Sequence, residues 1–160
     1  MMRPTIGILG SLILLGSAQT AVAETASSCA TTVAAEQAFA EPSPSSAARF
    51  WCGREGLALL LPRSGMWRGM GPDHRHRNKL FWWRQGYDGA AEPRSALVLT
   101  GRRVDGEAPP AIVSRATNAH HADFGGWAML VMVELPSSGC WEITGEYEGE
   151  SARFVVHVPA

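Results

Sequence analysis

The sequence predicts an all-β protein: an immunoglobulin-like antiparallel β-sandwich of about seven strands, preceded by a signal peptide and a flexible N-terminal segment. From Phe50 onward, short apolar runs alternate with turn residues at the spacing typical of sandwiches and barrels. Outside the first 23 residues, no window shows the 3.6-residue periodicity of an amphipathic helix. Near the C-terminus, residues 141–147 alternate apolar and polar side chains, and Glu148-Gly149-Glu150 provides a hairpin turn.

The apolar runs give the expected strands in chain order: residues 57–61, 79–84, 96–104, an extended piece after Pro110, 127–135, 141–147 and 153–158. Glycine, proline, aspartate and serine bound most of these runs, and these residues favour turns. The run at 127–135 is almost continuously apolar. It therefore predicts a central strand that is covered on both faces.

The first 23 residues predict a secretory signal peptide. Arg3 precedes an apolar run that ends at Leu15, and Ala21-Val22-Ala23 forms a small-x-small cleavage site before Glu24. The apolar run is too short to cross a bilayer, so we expect no transmembrane segment. This pattern places the mature chain in the periplasm or outside the cell.

Residues 24–48 predict a flexible lead-in, because a stretch rich in alanine, serine and proline cannot bury enough apolar surface to offset its ordering entropy. The remaining residues, 49–160, suit one sandwich domain. Cleavage removes Arg3 from the 14 basic residues and none of the 15 acidic ones, so the mature net charge is near −2. Nucleic acid and anionic membranes both favour a basic face, so neither is an expected partner. We expect a monomer whose partner is a protein or another envelope component.

Three cysteines follow the signal peptide: Cys29, Cys52 and Cys140. In an oxidising compartment one disulfide is expected, and one thiol is left over. All three pairings are possible from the residues alone. A lipid anchor on Cys29 is the less favoured alternative, because Ala26 stands where lipoprotein processing needs a leucine-like residue.

Four groups of residues carry a resemblance to a known family. They are Leu59-Leu60-Leu61-Pro62 with Gly65, Lys79 with Trp82-Trp83-Arg84, Gly101-Arg102-Arg103-Val104-Asp105-Gly106 with Ala108-Pro109-Pro110, and Leu135-Pro136 with Gly139-Cys140-Trp141-Glu142-Ile143-Thr144-Gly145. On these residues, the stretch 56–158 resembles a family of uncharacterised exported bacterial proteins, many of them predicted lipoproteins. The resemblance implies an immunoglobulin-like sandwich and a disulfide between Cys29 and Cys140, with Cys52 outside the family pattern. It implies no activity.

A methionine and histidine cluster is the most suggestive candidate site. Its members are Met66, Met70, His74 and His76, in and after a glycine-bearing loop. Thioether and imidazole ligands suit copper, Cu(I) especially, and His120 and His121 offer a second ligand group. A copper-binding carrier is therefore one alternative function. Arginines flank His76 and disfavour a cation, so a solvated polar loop with gap-filling methionines is the plainer interpretation.

Trp82 and Trp83 are the second candidate site. Adjacent residues on a strand face opposite sides of the sheet, so one indole can enter the core while the other stands at the surface. A surface indole can stack on a sugar ring, which makes carbohydrate binding the second alternative function. The plainer interpretation is that both rings pack in the fold.

Catalytic patterns are missing from the sequence. No Gly-x-Ser-x-Gly, His-Glu-x-x-His, Cys-x-x-Cys or phosphate-binding glycine loop occurs. We therefore expect no catalytic residues, no cofactor and no enzyme activity. The sequence favours a non-catalytic exported module, binding or structural, of the bacterial cell envelope.

Overall fold

The computed structural model describes residues 29–32, 49–54, 56–64, 67, 76–121 and 126–160. Within these ranges the chain forms nine strands and no helix, so none of the described segments is a helix able to cross a bilayer. The predicted all-β class is therefore confirmed. The predicted signal peptide and most of the predicted lead-in lie outside the described residues. The strands are β1 Arg49–Arg54, β2 Leu57–Pro62, β3 His76–Trp83, β4 Val98–Arg103, β5 Ile112–Val113, β6 Thr117–His121, β7 Gly126–Leu135, β8 Gly139–Tyr147 and β9 Glu150–Val158.

Two antiparallel sheets form from these strands. The six-stranded sheet has the order β1-β2-β3-β7-β5, and β6 pairs with β7 beside β5. The three-stranded sheet has the order β4-β8-β9, and β8 and β9 form the predicted C-terminal hairpin. β7 lies between β3 and the β5 and β6 strands, as its apolar sequence predicts. β7 is covered on both faces over only part of its length. On its outer face Ala128 is fully buried, whereas Met132 is 41 % exposed.

One hydrophobic cluster lies between the two sheets. Period-two alternation puts the core side chains of each strand on its inner face, where their burial supplies the main driving force for folding. Its largest fully buried members are Trp82, Trp141, Leu57, Leu59, Leu61, Met129, Leu135 and Ile143. They come from both sheets, so the cluster holds the sheets face to face.

The two sheets are in close contact at Trp82 and Gly145. The Trp82 side chain is fully buried, and a methyl group added at Gly145 would lie 2.6 Å from its Cζ3 atom. The ring centroid of Phe154 on β9 lies 5.8 Å from that of the indole. The bare Cα of Gly145 therefore provides the space in which the indole sits, and β8 can lie directly against β3.

Residues 139–145 belong to one of the four groups on which the predicted family resemblance rests. Most of these residues contribute to packing. Gly139 has φ +123°, and a methyl group there would lie 2.7 Å from Nε of Arg103. The Trp141 indole is buried and donates to the Ser137 carbonyl oxygen at 2.9 Å. Ile143 is fully buried in the core. The motif therefore encodes how β8 packs.

Cys29 and Cys140 lie at disulfide distance, with their Cα atoms 5.6 Å apart. The pairing that the resemblance implies is thus the one that the structure contains. Thr32 extends this attachment, because its N–H donates to the Val155 carbonyl and its hydroxyl accepts from the Val155 N–H, both at 2.8 Å. A crosslink over a sequence separation of 111 residues stabilises the fold by about 4–5 kcal/mol in the chain-entropy model. Cys52 is the free, half-buried thiol, and burial raises its pKa.

Replacement of Gly145 by alanine tests the contact between the sheets. We expect Gly145→Ala to lower the free energy of unfolding by about 1–3 kcal/mol, because the new methyl group overlaps the Trp82 ring. Urea unfolding followed by tryptophan fluorescence measures the change. Gly106→Ala is the matched control, since the nearest atom to its methyl group would be 3.5 Å away, at ordinary contact distance.

Candidate functional site

The loop proposed as a copper site is described only at its end. Met66, Met70 and His74 lie outside the described residues. His76 begins β3, its side chain is 7 % exposed, and its Nδ1 atom has no hydrogen-bond partner among the described residues. The indole N–H of Trp67 donates to the His76 carbonyl oxygen at 3.2 Å. His76 thus occupies an inward-facing position at one end of the sheet, and copper binding by this loop stays a prediction.

The second predicted ligand group lies far from His76. His76 is opposite Leu135 on β7, whereas His120 is opposite Trp127. The eight residue steps of strand from 127 to 135 span roughly 26 Å. His121 is one residue farther along β6, and its side chain is outside what the structure describes. His76 and His120 therefore do not meet at one ion.

The described part of the chain offers no alternative metal site, since none of its His, Cys, Asp and Glu side chains gather in a group of three or more. His120 is exposed and meets the Trp127 ring edge-on, with centroids 4.9 Å apart. This contact gives His120 a packing role at the end of β6.

The tryptophan pair divides between the two faces of the sheet, as predicted. Trp82 is fully buried in the core, so it cannot present a ring face to a sugar. Trp83 points to the outer face, where it is half-buried and packs in a separate cluster with Trp51, Ala58 and Leu60. The Trp51 and Trp83 ring centroids are 6.3 Å apart. Any carbohydrate contact by this pair would have to involve Trp83 alone.

A hydrogen-bond network fixes the segment between β3 and β4, and it begins with Asn118 on β6. The Asn118 side-chain amide N–H groups donate to the carbonyl oxygens of Gly89 at 2.8 Å and Glu92 at 2.6 Å. Its Oδ1 atom accepts a hydrogen bond from the Tyr87 hydroxyl at 2.5 Å. One side chain of the six-stranded sheet therefore holds this segment at three points.

Glu92 connects the network to the three-stranded sheet. Its Oε2 atom accepts a hydrogen bond from the hydroxyl of Tyr147 at the end of β8. Its Oε1 atom accepts one from the Ala96 N–H at 2.7 Å. The rings of Tyr87 and Tyr147 meet edge to face, with centroids 6.0 Å apart. Residues 87–96 are consequently held against both sheets.

Both tyrosines of the network have a raised pKa. Burial is the largest cause for Tyr147, and the hydrogen bond to Glu92 and the charges of Glu92 and Glu148 add to it. The guanidinium of Arg84, 5.3 Å from the Tyr147 ring centroid, partly offsets these effects. Burial is also the largest cause of the raised pKa of Tyr87. Both hydroxyls therefore stay protonated as donors at neutral pH.

An open groove lies directly after the fixed segment, and we call it the seam groove. It has a volume of about 520 Å³ and is lined by residues 94–98, at the start of β4, and 115–117, before and at the start of β6. It therefore runs along the seam between the two sheets. Leu97 and Ala116 are its buried apolar residues, and Val98 is 59 % exposed. Arg94 and Arg115 are exposed on its two sides, and neither forms an ion pair with a described residue.

The edge of β4 along the seam groove has unpaired backbone groups. The Gly101 carbonyl accepts from the Ala111 N–H at 3.0 Å, so the odd-numbered residues of β4 point their backbone groups away from β8. The Leu97 N–H is bonded to the Ser95 hydroxyl at 3.1 Å. Within the described residues, the Leu97 carbonyl, both backbone groups of Leu99 and the Gly101 N–H have no partner.

The opposite edge of the same sheet is covered. Both backbone groups of Val155 on β9 are bonded to Thr32, and the His157 carbonyl accepts from the Trp67 N–H at 2.8 Å. Residues 29–32, which the Cys29 crosslink attaches, thus occupy part of the edge of β9. The seam groove is the place where the described part of this sheet can accept a further strand.

Comparison of the chain with protein-family models, curated proteins and solved structures finds no match. The family resemblance of the 139–145 motif therefore stays a prediction.

The seam groove and the network behind it were not predicted from the sequence. Arg94 and Arg115 lie in connecting segments without periodicity, and 20 residues lie between them in the chain. The scarcity of tyrosine is the one signal available, since the chain has only two tyrosines and both belong to the network.

Alkaline titration of these two tyrosines tests the network. A folded-state pKa above the usual 10.0, caused mainly by burial, means that the fold favours the protonated hydroxyls; this contribution to stability is present at and below pH 10 and is lost as pH rises through the folded-state pKa. We expect the near-ultraviolet tyrosinate absorbance of the folded protein to rise at higher pH than that of the urea-unfolded chain. Glu92→Gln removes one negative charge and should lower the pH at which the tyrosinate absorbance of the folded protein begins to rise. If the tyrosines of the folded protein ionise at the same pH as those of the unfolded chain, the hydrogen-bond network is contradicted.

Proposed function

We propose that this protein is a non-catalytic binding module exported to the bacterial cell envelope, and that the seam groove is its binding surface. The observation that carries the proposal is that the groove wall is fixed before any ligand arrives. Glu92 bonds the N–H of Ala96 and the hydroxyl of Tyr147, and Asn118 bonds the Glu92 carbonyl. A preorganised site loses little conformational entropy on binding, which favours affinity.

The Cys29–Cys140 pair supports export. Disulfides persist in oxidising compartments such as the periplasm, and the predicted signal peptide leads there. A sulfur atom in a disulfide is not available for a thioether bond to lipid. The pair therefore favours a periplasmic or secreted protein over one that is lipid-anchored at Cys29.

The sheet arrangement supports an immunoglobulin-like sandwich and the family resemblance. Two antiparallel sheets enclose one core, and the buried Trp141 follows the paired Cys140, as in ring-over-disulfide packing. The present disulfide differs from the immunoglobulin one, because it attaches the lead-in to a single sheet. A family with this motif would share a fold rather than a reaction, since the motif residues act in packing.

Two described carboxylates, Glu142 and Asp105, are already paired with arginines, which disfavours them as general acids. Glu142 pairs with Arg102 at 2.7 Å. Asp105 accepts from Arg103, and this hydrogen bond holds the pKa of its carboxyl below the ordinary value. An ionised, paired carboxylate is a poor proton donor at neutral pH.

Photo-crosslinking in cells tests the proposed function. The full chain, carrying benzoylphenylalanine in place of Val98, is produced in a bacterium, irradiated and fractionated. We expect a crosslink to an envelope component and a mature chain that begins near Glu24, outside the cytoplasm. Its mass should rise by two hydrogen atoms on reduction of the Cys29–Cys140 bond.

The same photo-reactive residue at Arg153, exposed on β9 in the same sheet, is the matched control and should give no such crosslink. Equal crosslinking from both positions would refute the seam groove as the binding surface. An uncleaved chain in the cytoplasm with three reduced thiols would refute export.

A further inference from the structure

We propose that the seam groove takes an extended acidic peptide segment, which adds as a strand to the open edge of β4. This inference rests on the proposed function and specifies its partner. An acidic peptide fits three properties of the groove: its unpaired strand edge, its two arginines and its apolar lining.

The backbone of β4 supplies the strand edge. The Leu97 carbonyl and the Leu99 N–H and carbonyl point away from β8 and have no partner among the described residues, whereas Ala111 occupies the edge at Gly101. An added strand can bond all three groups, because acceptors and donors alternate along the edge in the antiparallel pattern. Residues 97–99 span roughly 7 Å, so the segment that pairs with them is about three residues long.

The charge of the groove selects acidic side chains. Arg94 and Arg115 stand on opposite sides of it, and guanidinium groups bind carboxylates in a bidentate geometry. The Glu92 carboxylate is already bonded to Tyr147 and Ala96 behind the groove wall. Two arginines without carboxylate partners among the described residues therefore favour a ligand that brings its own acidic groups.

The position of those acidic groups follows from β8. Glu146 lies directly opposite Val98 and is exposed on the same outer face. An acidic side chain above Val98 would meet this carboxylate, whereas an apolar one would cover Val98, which is 59 % exposed. The peptide should thus carry apolar residues at its centre and acidic residues toward Arg94 and Arg115.

A second copy of the chain fits the same edge poorly. In a symmetric β4–β4 pair, each copy would present the same surface to the other. Arg94 and Arg115 of both copies would then crowd one interface, and like charges brought together disfavour association. The charge pattern accordingly selects a partner of opposite charge.

Peptide binding to the mature protein tests the proposal. The probe is a short fluorescein-labelled peptide with two central valines flanked by glutamates, and binding is followed by fluorescence anisotropy. Two matched peptides serve as controls. In the first, lysine replaces each glutamate. In the second, proline replaces one central valine and so removes a backbone N–H that would bond the edge of β4. We expect both to bind about tenfold more weakly than the glutamate peptide, and added salt to weaken its binding.

Two readouts locate the peptide. The double variant Arg94→Glu/Arg115→Glu should lose about tenfold in affinity, while the control Arg54→Glu, an exposed arginine on β1, should retain it. Amide hydrogen exchange should slow at Leu99, whose N–H points away from β8 along the edge beside the groove. Thr100, whose N–H faces β8, should be unchanged.

Equal affinity for the glutamate and lysine peptides, or protection of amides away from β4, would overturn the proposal. Dimerisation of the protein alone through β4, seen by sedimentation together with protection of the Leu99 amide, would also overturn it. If the peptide fails to bind while the crosslink from position 98 persists, only the proposal that the partner is an acidic peptide is refuted. Loss of both would refute the binding function as well.

Discussion

The indole of Trp82 lies in the space left by the missing side chain of Gly145, and the position of the wall of the seam groove follows from this contact. It fixes how closely β8 approaches β3 in the opposite sheet. Two residues beyond Gly145, Tyr147 donates its hydroxyl to Glu92, and the other oxygen of that carboxylate holds the N–H of Ala96. Packing in the core thus determines where the wall of the seam groove stands. A methyl group at Gly145 would act on the groove as well as on stability.

The two edges of the three-stranded sheet differ. Thr32, held near the Cys29 crosslink, covers the edge of β9. No described residue bonds the backbone of β4 at Leu99, and an unpaired edge in general invites aggregation. Arg94 and Arg115, on the two sides of the groove, limit self-association by repulsion. The same positive charge attracts an acidic strand, so protection of the edge and recognition have one physical cause.

The sequence predicts those parts of the fold that depend on local pattern. Alternation at 141–147 and the turn after it give the β8–β9 hairpin, and the apolar run at 127–135 gives the central strand. Strand β6 escapes prediction because residues 117–121 have no apolar run; Asn118 serves the network instead. The opposite directions of Trp82 and Trp83 follow from strand geometry, but the choice of which one enters the core depends on Gly145, 63 positions away. The register of β7 likewise separates His76 from His120, and the two sides of the seam groove meet only through sheet topology.

Nuclear magnetic resonance of the mature protein tests the contact between Trp82 and Gly145 most directly. The account predicts nuclear Overhauser effects between the Trp82 indole protons and the Gly145 α-protons. It also predicts that at least one of these α-protons resonates upfield of its unfolded position, because it lies against the ring. Substitution of Trp82 by leucine should abolish the upfield shift. Gly145 α-protons at ordinary positions in the folded protein, without effects to the indole, would contradict the way in which the two sheets are held together.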